Sequence, residues 1–188
     1  MRGRLFVFSG PSGAGKNTVL KEAIPLLGNI SYSISCTTRK PRPEDVDGET
    51  YFFLDEAVFK DMISKGMFLE YAKVHGNLYG TRRDMVESEL EKGRDVLLEI
   101  DVQGAIQIKE SMKEAITIFI MPSSAEELER RLRKRGTESE EEIQLRIKNA
   151  QKEQLFADKY DHIVINNNLN DTVEKFVDIV KGYRGESK

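Results

Sequence analysis

GPSGAGKNTV, residues 10–19, follows the apolar run Leu5-Phe6-Val7-Phe8 and opens a helical pattern that runs from Lys16 to Leu27. Gly10, Gly13 and Gly15 with Lys16 satisfy the phosphate-loop pattern G-x-x-x-x-G-K in the context it requires, with a strand before it and a helix after. Glycines let the backbone wrap a polyphosphate with its N–H groups turned inward, where side chains would block the approach. The N-terminus of the following helix adds partial positive charge, and Lys16 brings a point charge to the β and γ phosphates. Gly10, Pro11, Ser12, Gly13, Ala14, Gly15, Lys16, Asn17 and Thr18 form the candidate phosphate-binding segment. Asn17 stands where a Ser or Thr ordinarily follows the lysine and serves Mg²⁺. Its carboxamide oxygen can reach a metal-bound water, and Thr18 offers a hydroxyl one position on. Magnesium at such sites is held mainly by phosphate oxygens and waters, so metal use is expected despite the change.

Outward from the loop, strand patterns alternate with helical ones. Residues 4 to 9, Val96-Leu97-Leu98-Glu99-Ile100, Ala115-Ile116-Thr117-Ile118-Phe119-Ile120 and His162-Ile163-Val164-Ile165 are short, nearly continuous apolar runs, the pattern of strands covered on both faces. Each borders a helical pattern. The expected fold is α/β, with a central, mostly parallel sheet between helices. Asp101 follows VLLEI, where the carboxyl end of a parallel strand would meet the loop. Two readings stand there: a carboxylate that orients Mg²⁺ through water, or the cap of the next helix.

Between residues 34 and 82 the texture changes to Pro, Gly, charge and aromatics, as in TTRKPRPEDVDGETYFF and YAKVHGNLYGTRRD, and we read an inserted lobe. A second stretch, ELERRLRKRGTESEEEIQLRIKNAQKE, has almost no apolar face over its middle and carries Gly136 between two helical patterns. It reads as two exposed helices joined by a turn, a lid over about 126–151. The core is then about 1–33, 83–125 and 152–188 of a single domain, with the tail from Gly185 frayed.

The balance of 29 basic against 32 acidic residues gives a net charge of −3, which argues against a nucleic-acid polymer as partner but leaves small anions open. The one cysteine, Cys36, excludes an internal disulfide and suits a reducing compartment, and it reads as a packed small side chain rather than a reactive thiol. The apolar run behind the basic start is too short for a signal peptide, and nothing reaches transmembrane length, so a cytoplasmic protein away from membranes is expected.

The conjunction of SCTTRKPRPEDVDGETYFF, FLEYAKVHGNLYGT, LLEIDVQG and RRLRKRGTESEEEIQLR, in this order behind the loop, resembles the guanylate kinase family of P-loop nucleoside monophosphate kinases over about residues 3–181. The resemblance implies Mg²⁺-dependent phosphoryl transfer from ATP to GMP, and to dGMP, in purine metabolism, by a monomer or homodimer. Arg39 and Arg42 flank Pro41 at a spacing that can present two guanidiniums to one phosphate, with the hydroxyls of Tyr51 and Tyr79 beside them. Glu70 is the base reader the resemblance implies, with Ser35, Thr81, Glu99 and Asp101 completing the GMP pocket. Guanine offers N1–H and its 2-amino group as adjacent donors that one carboxylate accepts together, whereas adenine would leave a buried carboxylate unpaired. The resemblance gives Arg131, Arg135 and Arg146 to the ATP phosphates and the transferring group. Arg130, Arg133 and Lys134 are left to pair with the acidic run Glu138 to Glu142. His75 reads as a loop-packing residue, because phosphoryl transfer needs no strong general base. Closure of lobe and lid would align the phosphates and expel water. Two other classes stay open here: a non-catalytic interaction module of the same fold, and a kinase for another nucleoside monophosphate.

Overall fold

The structure is a computed structural model that describes residues 1–74, 76–135 and 139–186, with Arg135 described by its backbone alone. The expectations placed on His75, the Arg135 side chain, Gly136, Glu138 and the last two residues lie outside that description.

The strands are β1 (Leu5–Ser9), β2 (Ile30–Tyr32), β3 (Cys36–Thr37), β4 (Phe52–Phe53), β5 (Phe68–Val74), β6 (Asn77–Arg82), β7 (Asp95–Glu99), β8 (Ile116–Pro122) and β9 (His162–Asn166). The α-helices are α1 (Lys16–Ala23), α2 (Glu56–Ser64), α3 (Arg83–Glu91), α4 (Val102–Ser111), α5 (Ala125–Arg135), α6 (Glu140–Gln154) and α7 (Leu169–Arg184). One sheet runs in the order β2-β7-β1-β8-β9 and the other in the order β4-β3-β6-β5. The pairs β2–β7 and β8–β9 are parallel, and β1, β7 and β8 are buried nearly throughout, whereas β9, at the edge of the sheet, exposes Ile163 and Ile165 and so is covered on one face only, against the sequence expectation. Every residue of β1 is buried.

The chain divides into two compact units, Met1–Val7 with Ile30–Ala115, and Phe8–Asn29 with Ile116–Lys188. In the first, the β5–β6 hairpin and the antiparallel β3–β6 pair set a register that sorts side chains by face. Cys36 lies opposite Phe52 and Gly80, on a face that packs with Phe59 and Phe68 of the apolar cluster under α2. The rings of Phe59 and Phe68 stack at 4.5 Å, and a Cβ on Gly80 would come within 2.9 Å of Phe68. Burial pushes the Cys36 thiol up to about 11, so it is a packed side chain and a poor nucleophile. The alternate positions, Thr37, Phe53, Tyr79, Thr81 and Glu70, fall on the other face. A register shift between Phe68 and Glu70 brings Glu70 opposite Thr81.

In the second unit, the rings of Phe8 and Phe176 meet at 4.8 Å. Helix α1 stops at Ala23 and continues only as a short 3₁₀ turn over Ile24–Leu26, earlier than the pattern to Leu27 implies. Pro25 has no N–H to give the carbonyl one turn back, so the α-helical ladder ends before it. Helices α5 and α6 also correct the sequence reading: they are not exposed all round. Leu128 and Leu132, spaced i, i+4, join Ile143 and Ala150 in a buried seam with Ile147 against it. Four apolar residues among many charged ones are too sparse to register as a face, yet they suffice to pair two helices. Ser139 begins α6 with a reciprocal capping box to Glu142.

Candidate active site

The loop joins β1 to α1 within the second unit, and its shape is forced by its neighbours. Gly13 and Gly15 have φ of 89° and 95°, a region that side-chain-bearing residues avoid. A Cβ on Gly10, Gly13 or Gly15 would meet the Ile120 carbonyl oxygen at 2.1 Å, Leu128 at 2.7 Å or Asn166 at 2.5 Å. The glycines are thus required by packing, a reason separate from the phosphate approach expected from sequence. Lys16 Nζ donates to the Gly10 carbonyl at 2.6 Å and the Pro11 carbonyl at 3.3 Å, which holds the ammonium over the loop. Ser12 accepts a hydrogen bond from Arg146 at 2.8 Å. Asn17 and Thr18 are exposed in the first turn of α1.

Arg131 donates to the Ala14 carbonyl at 3.3 Å, to the Asn166 carbonyl at 2.8 Å and to Glu127 at 2.7 Å. Sequence placed Arg131 and Arg146 near the phosphates, and both side chains touch residues 10–15. The ion pairs differ from expectation in part. Arg130 pairs with Glu127, outside the acidic run, and Arg133 with Glu129 and with Glu140 of that run. Arg130 first and Arg131 second hold the Glu127 carboxyl down to about 2. Asn166 went unnoticed in sequence. It is 6% exposed, closes β9, donates to the Ala14 carbonyl at 2.8 Å and accepts from Thr172 at 3.2 Å. The readable signal was a polar residue ending an apolar run, the same signal that singled out Asp101.

A second cluster forms wholly within the first unit. The Glu70 carboxyl is 4% exposed and accepts the Thr81 hydroxyl at 2.6 Å. Burial, and less strongly Asp101, push it up to about 7. Asp101 caps α4: its carboxylate accepts from the Gly104 N–H at 2.9 Å and from Gln103 at 3.2 Å. The capping reading of Asp101 is what the contacts display. Glu99, at the end of β7, accepts the Tyr32 hydroxyl at 2.9 Å, a partner the sequence gave no reason to single out.

Arg39 is paired with Asp45 at 2.9 Å, and its guanidinium lies 5.3 Å from the Tyr51 ring centre and 5.7 Å from that of Phe53. The Tyr51 and Tyr79 rings sit edge to face at 5.9 Å. Burial, then Tyr79 and Glu99, raise the Tyr51 phenol, which remains a neutral donor. Arg42 contributes its backbone N–H to Asp45 at 2.7 Å while its side chain is exposed, so Arg39 rather than the pair is pre-set. Ser35 is half-buried, and its carbonyl accepts from Phe52 N–H. Asp45 lay unmarked in an ordinary charged turn.

A lysine-closed glycine loop between a buried strand and a helix, with two arginines drawn onto it, fits a nucleotide-binding protein of the α/β class. The guanylate kinase family model matches residues 2–183. A guanylate kinase of Thermotoga maritima is 47% identical over 99% of this chain and 90% of its own length, and one of Clostridium tetani is 50% identical over 95% and 86%. The crystal structure of guanylate kinase from Anaplasma phagocytophilum superposes with a TM-score of 0.79 at 34% identity, covering 97% of this chain and 86% of that one. The chain belongs to the guanylate kinase family, and it is a kinase. Among the described residues no helix is long and apolar enough to cross a membrane.

Proposed function

We propose that the enzyme transfers the γ-phosphoryl group of ATP to GMP, and also to dGMP, giving ADP and the nucleoside diphosphate, and so serves purine nucleotide metabolism and GMP recycling in the cytoplasm. The observation that carries this reading is Glu70: a buried carboxylate with Thr81 and Asp101 beside it and no cation among those neighbours. Such a group is costly to leave unsatisfied, and guanine's adjacent N–H donors satisfy it. Arg39, Tyr51 and Tyr79, on the face that Glu70 shares, supply a cation and two hydroxyls for the acceptor's phosphate. Ser35, Arg42, Glu99 and Asp101 line the same reading.

The donor phosphates lie on backbone N–H groups of the loop, to which Pro11 contributes none, and on the N-terminus of α1. Lys16, Arg131, Arg135 and Arg146 stabilise the charge that spreads over the transferring group. Lys16 exchanges its carbonyl partners for phosphate oxygens, a charge-assisted bond stronger than the one it leaves. The donor set suits Mg²⁺ carried by the nucleotide. Among the described residues no three His, Cys, Asp or Glu side chains are grouped to hold a metal, while Asn17 and Thr18 would offer it exposed neutral oxygens. When bound, the ion neutralises the donor phosphates. The lobe at about 34–82 and the lid at about 126–151 are the parts that move in this reading.

Formation of ADP from MgATP, assayed with GMP, dGMP, AMP, UMP and CMP in turn, tests the proposal. GMP and dGMP should stimulate strongly and the others weakly; equal stimulation by AMP and GMP would overturn it.

A further inference from the structure

Gly104 stands at the third position of α4, buried, with no left-handed φ to demand glycine. Alanine is the better helix former at such a place, so the backbone gives no reason for the choice. The reason lies across the gap to β5. A Cβ on Gly104 would fall 2.4 Å from Glu70 Oε2 and 2.9 Å from Glu70 Cδ, and 3.3 Å from Ile100 Cδ1. Neither of the first two distances can stand, and both are to the same carboxylate, so a methyl here obliges that carboxylate to move. Its other oxygen, Oε1, is held by the Thr81 hydroxyl at 2.6 Å, and the residue is 4% exposed, so the group cannot swing into solvent.

We propose that Gly104 is a specificity-determining positioning residue: by lacking a side chain it lets the Glu70 carboxylate seat against the first turn of α4 while keeping its bond to Thr81. This rests on the reading of Glu70 as the group that accepts guanine's N–H donors. A methyl at 104 forces the carboxylate to rotate off Thr81 or to withdraw from the helix, and either motion misaligns the pair of acceptors. Base discrimination built on paired hydrogen bonds is sensitive to such a shift.

The test is Gly104→Ala in the full chain, combined with Glu70→Asp in a double-mutant cycle. Gly104→Ala should raise KM for GMP by about 10- to 100-fold, leaving ATP affinity in the absence of GMP and Tm unchanged. Glu70→Asp, one methylene shorter, should raise KM strongly in the parent but add little in the Gly104→Ala background, because the shorter side chain makes room for the methyl. Unchanged KM in Gly104→Ala, or strictly additive effects, overturns the proposal. A fall in Tm together with weaker ATP binding makes Gly104 a packing residue and also overturns it. If Glu70→Asp leaves the parent's KM for GMP unchanged, the reading of Glu70 itself has failed; if Glu70→Asp acts and Gly104→Ala does not, only the inference about Gly104 has.

Discussion

In the proposed reaction Glu70 is both a recognition element and a liability. Its carboxyl is raised from an ordinary value of 4.5 to about 7, chiefly by burial. The folded protein therefore holds this proton to higher pH than the unfolded chain does. The resulting penalty is absent below the unfolded value and grows as pH rises through about 7. Glu70→Gln removes the ionisation and keeps an oxygen to accept from Thr81. Thermal melts should show nearly the parent Tm at pH 4.5 and a gain at pH 8 corresponding to at most about 3 kcal/mol, with GMP turnover lost. A gain of the same size at both pH values would mean that this carboxyl does not titrate in the interval. From sequence alone Glu70 would pass for a surface residue: its burial depends on the shift in register between β5 and β6, which no local pattern encodes.

Among the elements, β1, β7 and β8 were legible because covered strands must be apolar almost throughout, and β9 because its run is apolar even though Ile163 and Ile165 face outward. The strands β2 to β6 were not. They run from two to seven residues, several of them half-buried, and β3 to β6 fall in a segment whose Pro, Gly and charges read as irregular. The loop was legible as a motif, but its supports were not, since Asn166 lies 152 positions from the Ala14 carbonyl it bonds. Asn166→Ala should weaken ATP binding by calorimetry and lower stability by about 1–2 kcal/mol, less than a fully orphaned carbonyl would cost, because Arg131 still donates to it. GMP binding should not change. Weakened binding of both nucleotides would instead mark Asn166 as a general structural residue.

Over the whole molecule, Glu70, Arg39 and their companions fall in one compact unit and the loop with Arg131 and Arg146 in the other, so each cluster is assembled from its own contacts. Lys16→Met should accordingly lower kcat by at least about 100-fold, since in the proposed reaction its charge acts on the transferring phosphoryl group, and leave the Kd for GMP within about twofold. A parallel loss of GMP affinity would show that Lys16 serves both nucleotides. The net charge of −3 concealed these basic clusters, because a sum over the chain carries no information about where charges gather. Each of the three loop glycines fits against a different element: Gly10 against β8, Gly13 against α5 and Gly15 against β9. The motif is therefore not portable. Residues 10–18 grafted into an unrelated strand and helix would bring the glycines without the three walls that shape them, and a change in any wall obliges the loop to change with it.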